Sequence, residues 1–300
     1  MDGMDGTNAL GEFLRARREL VRPEDVDIGP GGLRRVPGLR REEVAMLAGI
    51  SPDYYLRLEQ GRDRNPSVQV LEALARVLLL DPDATAYLIG LAHARGPRRS
   101  AGSASRVRTP QSERVPESVR RLIDGWTTNP AYVQNRFFDL LAVNPLAAAL
   151  SPNYAVGVNL LQAAFLDPAE RRLRRDWDRM TQEGVASLRS QAGPDVNHPR
   201  LVELVGELSV RSDRFRRLWA RHDVQPQRGH ITRLNHPQVG DLTLQSDKFA
   251  VAGTEGLALV VFQAEPSSQS AELLGILGSL TATGQPARQE KPHHQPVEEQ

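Results

Sequence analysis

The residue types that most often carry chemistry are sparse in this chain and poorly spaced for it. Cysteine is absent, which removes disulfides, thiolate nucleophiles, cysteine-ligated zinc and iron–sulfur clusters. The histidines are His93, His198, His222, His230, His236, His293 and His294. No two of them have the i, i+4 spacing that aims two imidazoles at one metal ion from a helix, so no metal site is expected. His236 with Asp241 could form a base and its orienter, but nothing beside them marks a nucleophile. A structural or ligand-anchoring histidine is the simpler role. Gly29-Pro30-Gly31-Gly32 is not a phosphate loop, because no Lys-Ser/Thr pair follows and no strand precedes it. Asp176 and Asp178 lie among Arg171, Arg172, Arg174, Arg175 and Arg179, the pattern of a solvated, ion-paired helix face. No catalytic residue and no cofactor is expected, and the chain reads as a binding protein rather than an enzyme.

Binding chemistry is better represented. Arginine outnumbers lysine by 36 to 2, the lysines being Lys248 and Lys291. The planar guanidinium suits phosphate oxygens and base edges. A GC-rich genome gives the same bias, and the net charge is only +1, so local arrangement has to decide. It does so between Arg40 and Gly61. Val44, Leu47 and Ala48 repeat at helical spacing with the small Ala45 beside them. Gly49 supplies the positive φ of a tight turn and Ile50 a buried plug. Ser51 caps a second helix and Pro52 opens its first turn. Tyr55 and Leu58 face inward, which leaves Pro52, Asp53, Tyr54 and Arg57 facing outward. This is the pattern of a helix-turn-helix, whose second helix enters the major groove. There Arg57 can fork guanine O6 and N7, Asp53 can accept from cytosine N4, and Pro52 offers only apolar contact.

These residues need a scaffold. Residues 9–92 read as five helices: Ala9–Leu20, Arg40–Ala48, Ser51–Gln60, one from Pro66 to Leu79 and one from Asp81 to Leu91. A loop over 23–39 interrupts them. Residues 94–117 shift to Gly, Ser, Pro and Arg and read as a flexible linker. Residues 118–282 form a second unit of mixed pattern. Val119–Trp126, Asn144–Leu150, Pro168–Arg189, Pro199–Leu208 and Ser212–His222 have helical spacing. Ala131–Val133, Phe138–Val143, His230–Leu234, Val239–Gln245 and Leu257–Gln263 read as strands. An α+β arrangement of a sheet covered by helices follows, and such layers can enclose an apolar cavity. The aromatics Trp126, Tyr132, Phe137, Phe138, Trp177, Phe215 and Trp219 dominate this unit. Residues 283–300 carry almost no apolar side chain and are expected to be a disordered tail. The units are therefore expected at 1–93, 94–117, 118–282 and 283–300. No apolar run approaches the length of a spanning helix, and MDGMDGTNAL lacks the regions of a signal peptide. A cytoplasmic, nucleoid-associated protein without membrane contact is expected.

Ala45, Gly49, Ile50, Ser51, Leu58, Glu59 and Gly61, in an Ala45-x3-Gly49-x5-Tyr55 frame, resemble the Xre/Cro-repressor family over about residues 9–80. Tyr55 is bulkier than the aliphatic usual there, and the 23–39 loop is longer than the repressor loop. The resemblance implies an all-α, five-helix, lambda-repressor-like domain that binds a palindromic operator in double-stranded DNA as a homodimer. It places Ser51, Pro52, Asp53, Tyr54 and Arg57 on the recognition helix. It makes Arg41 a phosphate clamp, and Arg62 and Arg64 holders of the DNA backbone.

A second resemblance rests on Leu208–Val224, His236–Leu244, Asn129-Pro130-Ala131, Asn144-Pro145-Leu146 and the Trp177 helix. Together they are similar to the MmyB-like transcription-regulator ligand-binding domain over about residues 116–280. This implies a PAS-like fold with a fatty-acid-like ligand in an apolar cavity. The carboxylate anchor is then sought at Arg211 or His236, with Asn144, Trp219 and the pair Thr232-Arg233 as further choices. Two functions stand at this point. One is a transcriptional regulator that senses a small apolar molecule. The other is a helix-turn-helix protein whose C-terminal unit is a dimerisation or protein-docking module without a ligand. A cavity with a polar end favours the first, and a fully packed core the second.

Overall fold

The computed structural model describes residues 8–29, 36–63, 65–93, 114–193, 195–226 and 229–284. Arg64, most of the expected linker and the tail beyond Gly284 lie outside the described residues.

The N-terminal unit is helical: α1 (Ala9–Leu20), a 3₁₀ turn at Pro23–Val26, α2 (Arg41–Ala48), α3 (Pro52–Glu59), α4 (Val68–Val77) and α5 (Pro82–His93). Side chains cap the N-termini of these helices where the sequence supplies them. Ser51 Oγ accepts from Tyr54 N at 3.1 Å, Ser67 Oγ from Val70 N at 3.3 Å and Asp81 Oδ1 from Ala84 N at 2.7 Å. Gly49 ends α2 with φ 69°, the left-handed turn that glycine adopts without strain. The core gathers Leu10, Phe13, Leu14, Val44, Ala45, Tyr55, Leu58, Leu71, Leu74 and Leu88. α1 lies so close to α3 that a Cβ on Gly11 would stand 2.1 Å from the Glu59 carbonyl oxygen. Two expected inward residues differ. Leu47 is 39% exposed, because α2 packs through Val44 and Ala45 and leaves Leu47 on its rim beside the exposed Met46. Ile50 is half-buried rather than a full plug.

The C-terminal unit runs α6 (Glu117–Asp124), β1 (Ala131–Gln134), β2 (Leu140–Val143), α7 (Pro145–Leu150), α8 (Leu160–Leu166), α9 (Pro168–Leu173), α10 (Trp177–Ala192), α11 (Pro199–Arg211), α12 (Asp213–Ala220), β3 (His230–His236), β4 (Gly240–Ala250), β5 (Ala258–Gln263) and α13 (Gln269–Gly284). The strands form one antiparallel sheet in the order β2-β1-β5-β4-β3. Alternation along the strands sends Tyr132, Leu234, Leu242, Leu244, Val260 and Phe262 to one face. Ala131, Val133, Leu259 and Val261 go to the other, where they meet Val115 and Ile123. The central β5 is buried on both faces, which explains its unbroken apolar run.

The single helix expected over Pro168–Arg189 is two. Arg174 leaves helical geometry, pairs with Leu234 of β3 through an isolated bridge, and turns its guanidinium inward. α8, seven residues long, was not expected from the sequence. α13 runs through residues 283–284, which were expected to belong to the tail.

Candidate DNA-reading face and ligand cavity

The outward face of α3 carries the residues that sequence spacing assigned to it. Pro52, Asp53 and Arg57 are exposed and Tyr54 is half-buried. The Arg57 guanidinium stands 5.6 Å from the centre of the Tyr54 ring and 4.0 Å from Asp63. It is thus held loosely at the surface, free to turn toward a base. Ser51 uses its oxygen as the cap acceptor and keeps its proton for donation. Arg62 is exposed just past the helix, its N–H donating to the Arg57 carbonyl at 2.9 Å.

What fixes α3 lies behind it. Glu59 is buried and accepts from Arg18 Nε at 2.7 Å and Arg41 Nε at 2.6 Å. Arg18 also donates to Leu39 O at 2.9 Å, and Asn8 Nδ2 to the Glu59 carbonyl at 2.6 Å. One carboxylate therefore ties α3 to both α1 and α2. Burial pushes the Glu59 carboxyl up, but the two arginines outweigh it and hold it below the usual carboxylate range. Arg41, expected as a phosphate clamp, is already fixed by this carboxylate with its side chain 45% exposed.

The C-terminal unit encloses a cavity of about 340 Å³ between the sheet and α8–α10. Part of its lining is aromatic and aliphatic. Tyr132, Tyr154 and Phe262 form a ring cluster with centroids 5.1 to 6.0 Å apart, and Leu160, Leu161 and Ala164 continue the wall. Arg174 and Glu170 line the cavity too, and Arg174 donates to Glu170 at 3.0 Å and to the Tyr154 hydroxyl at 2.7 Å. Glu170 in turn accepts from Ser151. Burial works against the Arg174 charge, but Tyr154 and Glu170 outweigh it and keep it protonated. The polar part of the lining is strand-borne: His230, Thr232, Ser246 and Lys248, with Ser246 directly across from Phe262 on the neighbouring strand. Thr232 Oγ1 lies 3.2 Å from His230 Nε2, and Ser246 Oγ donates to His230 O at 3.0 Å. Lys248 Nζ sits 3.4 Å from Gln191 Oε1 and 5.7 Å from the Phe138 ring centre. Burial lowers its pKa to about 8.

The residues expected as ligand anchors lie off this wall. Asn144 is fully buried as the cap of α7, accepting from Ala131 N and Ala147 N and donating to Asn129 O at 2.8 Å. His236 donates through Nε2 to Ala149 O at 2.9 Å and accepts from Gln238 N. Arg211 is exposed and paired with Glu207 at 2.5 Å. Trp219 stacks on Phe215 and under Arg189, at another junction. Each has a structural partner that takes it away from the cavity. Arg233 is exposed, while its neighbour Thr232 does line the cavity. Lys248 carried a usable signal: on β4, positions 242, 244, 246 and 248 share one face by alternation, and the chain has only two lysines.

The segment after α12 joins cavity and reading head. Val224 is buried in the core of the N-terminal unit. Asp223 accepts from Arg17 of α1 at 2.8 Å, and the His222 ring meets Phe13 edge-on at 6.4 Å. The next residues, Gln225 and Pro226, line the cavity, and Gln225 N donates to Ala186 O of α10 at 3.3 Å.

Residues 115–277 match the family model of the MmyB-like transcription regulator ligand binding domain. The chain belongs to that family. Residues 9–88 match the model of a helix-turn-helix domain. No curated protein matches the chain. This MmyB-like protein is thus a DNA-binding transcription regulator with a ligand-binding domain behind its helix-turn-helix. None of its described helices is long and apolar enough to cross a membrane.

Proposed function

We propose that this regulator binds a fatty-acid-like molecule in the cavity of its C-terminal unit and that occupancy changes the affinity of α3 for its operator. The observation that carries this is the 222–226 segment, whose one end is buried in the helix-turn-helix core while its other end walls the cavity. The aliphatic and aromatic part of the lining suits a hydrocarbon chain. Lys248, with Thr232, supplies donors for a carboxylate, in place of the anchors expected from sequence. The sheet order, with six helices inserted between β2 and β3, supports a PAS-like unit, and the five helices support an Xre-type reading head. Arg57 and Asp53 read bases, and Arg41, Ser51, Arg62 and Arg64 hold the DNA backbone. The working form is a homodimer on a palindromic operator, cytoplasmic and nucleoid-associated, with no catalytic step. The test uses the full-length protein and an operator selected from random duplexes. Dodecanoate is titrated while DNA affinity is followed by anisotropy. A shift in DNA affinity is expected, with an equal shift in dodecanoate affinity when DNA is added first, since linkage is reciprocal. Dodecanoate bound without any effect on DNA, or no binding at all, would favour a docking module instead.

A further inference from the structure

The cavity wall carries four buried polar side chains that a carboxylate held at Lys248 does not use: Tyr132, Tyr154, Glu170 and Arg174. Tyr132 stands on β1, Tyr154 in the loop between α7 and α8, and Glu170 on α9. Arg174 follows α9 at the bridge to Leu234 of β3.

Their charges cancel. Arg174 Nε donates to Glu170 Oε2 at 3.0 Å. Glu170 Oε1 takes the Ser151 hydroxyl and, at 3.4 Å, Asn153 Nδ2. A ligand carboxylate here would set a second buried negative charge beside Glu170, which is costly. Their protons, by contrast, are in surplus. Arg174 Nη2 donates to the Tyr154 hydroxyl at 2.7 Å. The Tyr132 and Tyr154 hydroxyls are hydrogen-bonded to each other, and burial pushes both phenols up, so both keep their protons. One O–H is spent between the two rings. Whichever ring donates it, the other O–H has no acceptor among the described residues. Arg174 Nη1 has none among them either, and it is not one of the unpartnered side-chain atoms sealed off from the surface. Its N–H groups open onto the cavity that Arg174 lines. Donors left without an acceptor out of water are costly, so this patch favours an occupant that brings one.

We infer that Arg174 and the Tyr132–Tyr154 pair form a subsite for a neutral carbonyl oxygen, and that the cavity selects an oxo-acid over the plain fatty acid. A carbonyl oxygen has two lone pairs and brings no proton, so it meets a phenol O–H and an Arg174 N–H together. A hydroxyl would add a proton to a patch already rich in them. With the carboxylate at Lys248, the reading on which this assignment rests, the sheet register sets the spacing. Lys248 lies opposite Val260, and Val260 opposite Tyr132. Two strand spacings, about 9.5 Å, therefore separate the backbones that carry the two polar groups. The carbonyl belongs part-way down the chain, several bonds from the carboxylate.

The probes are dodecanoate and oxododecanoates with the carbonyl stepped along the chain, titrated into the full-length protein by calorimetry. A mid-chain oxo-acid is expected to bind about tenfold or more tighter than dodecanoate, as hydrogen bonds with a charged donor allow; 2-oxododecanoate should gain nothing. The ratio of the two affinities should fall toward parity in Tyr132→Phe/Tyr154→Phe, which keeps both rings. It should fall likewise in Arg174→Met/Glu170→Leu, which removes the ion pair together and leaves no lone charge. The ratio is taken within one protein, so a general loss of affinity cancels. Lys248→Met should weaken every acid and leave the ratio standing. Dodecanoate bound with no oxo-acid preferred would overturn the carbonyl subsite alone and leave the fatty-acid reading intact. No binding of any acid would overturn both. A preference that survives both double variants, or a mid-chain hydroxy-acid bound as tightly as the oxo-acid, would also overturn the carbonyl subsite.

Discussion

Glu59 is the residue on which the reading head turns, and its removal has a calculable consequence. Its side chain is 3% exposed and that of Arg18 is 7% exposed, so their 2.7 Å pair is out of water at both ends. Deleting one member of a buried pair costs about 3–5 kcal/mol, because the survivor keeps an uncompensated charge. Here Arg18 retains the Leu39 carbonyl, which places Glu59→Ala toward the lower end, about 3–4 kcal/mol. The Arg41 contact adds little, since that side chain is 45% exposed and surface pairs contribute about 0–1 kcal/mol. The double variant Arg18→Met/Glu59→Leu removes both charges and should recover most of the loss. The assay is urea unfolding of the full-length protein, read by far-UV circular dichroism and by hydrogen exchange at α3. Tryptophan emission is unsuitable, because Trp126, Trp177 and Trp219 all lie in the C-terminal unit. A pH arm follows. The folded Glu59 carboxyl titrates below its ordinary value of 4.5. Its stabilisation is therefore complete above that value and is lost as pH falls through the lower, folded pKa. Glu59→Gln should lack this part of the acid sensitivity. A loss under about 1 kcal/mol for Glu59→Ala, or a double variant no better than the single one, would refute the role given to this pair.

Further expectations concern the two sites. Arg57→Ala should relax discrimination at one base pair by about 1–3 kcal/mol, whereas Arg62→Ala should weaken all sequences alike and flatten the salt slope by about 1; competition binding against single-base operator variants separates them. Because burial sets the Lys248 pKa to about 8, dodecanoate affinity should fall as pH rises above that value and become flat in Lys248→Met, as measured by calorimetry from pH 7 upward on the order of two units. Val224→Ser, which places a hydroxyl in the core of the N-terminal unit, should leave dodecanoate binding intact while shrinking its effect on DNA affinity; an undiminished effect would exclude the segment as the link.

The reading head was legible because its determinants are local. Gly49, Ser51 and Pro52 each act within one turn of where they stand, and the outward set on α3 follows from helical spacing alone. The tie between Glu59 and α1 joins residues 41 positions apart, a distance over which sequence spacing carries no information. The cavity suffers the same limit. Arg211 and His236 have the right chemistry, but Glu207 and Ala149 O take them up. The break at Arg174 could not be read because it depends on pairing with Leu234 of β3. Lys248 and Ser246, by contrast, stand at inward positions of an alternating strand, where a polar residue is itself a signal.

The contacts of the 222–226 segment also bound how strongly a ligand can act. Across it the two units share one buried aliphatic side chain, Val224, one partly exposed ion pair, Arg17–Asp223, and one edge-on ring contact, Phe13–His222. A ligand can change DNA affinity only by the difference in its affinity for the two states. If rearranging this segment is the whole of that difference, the ceiling is what these three contacts are worth together. Coupling free energies of about 1–3 kcal/mol, or about 5–150-fold, are typical, and one buried valine with a half-screened ion pair falls within that range. Moving a population from about 1:99 to 99:1 needs about 5.5 kcal/mol. The segment alone therefore supports graded control of operator occupancy. An all-or-none response would require a second contribution, such as a dimer interface.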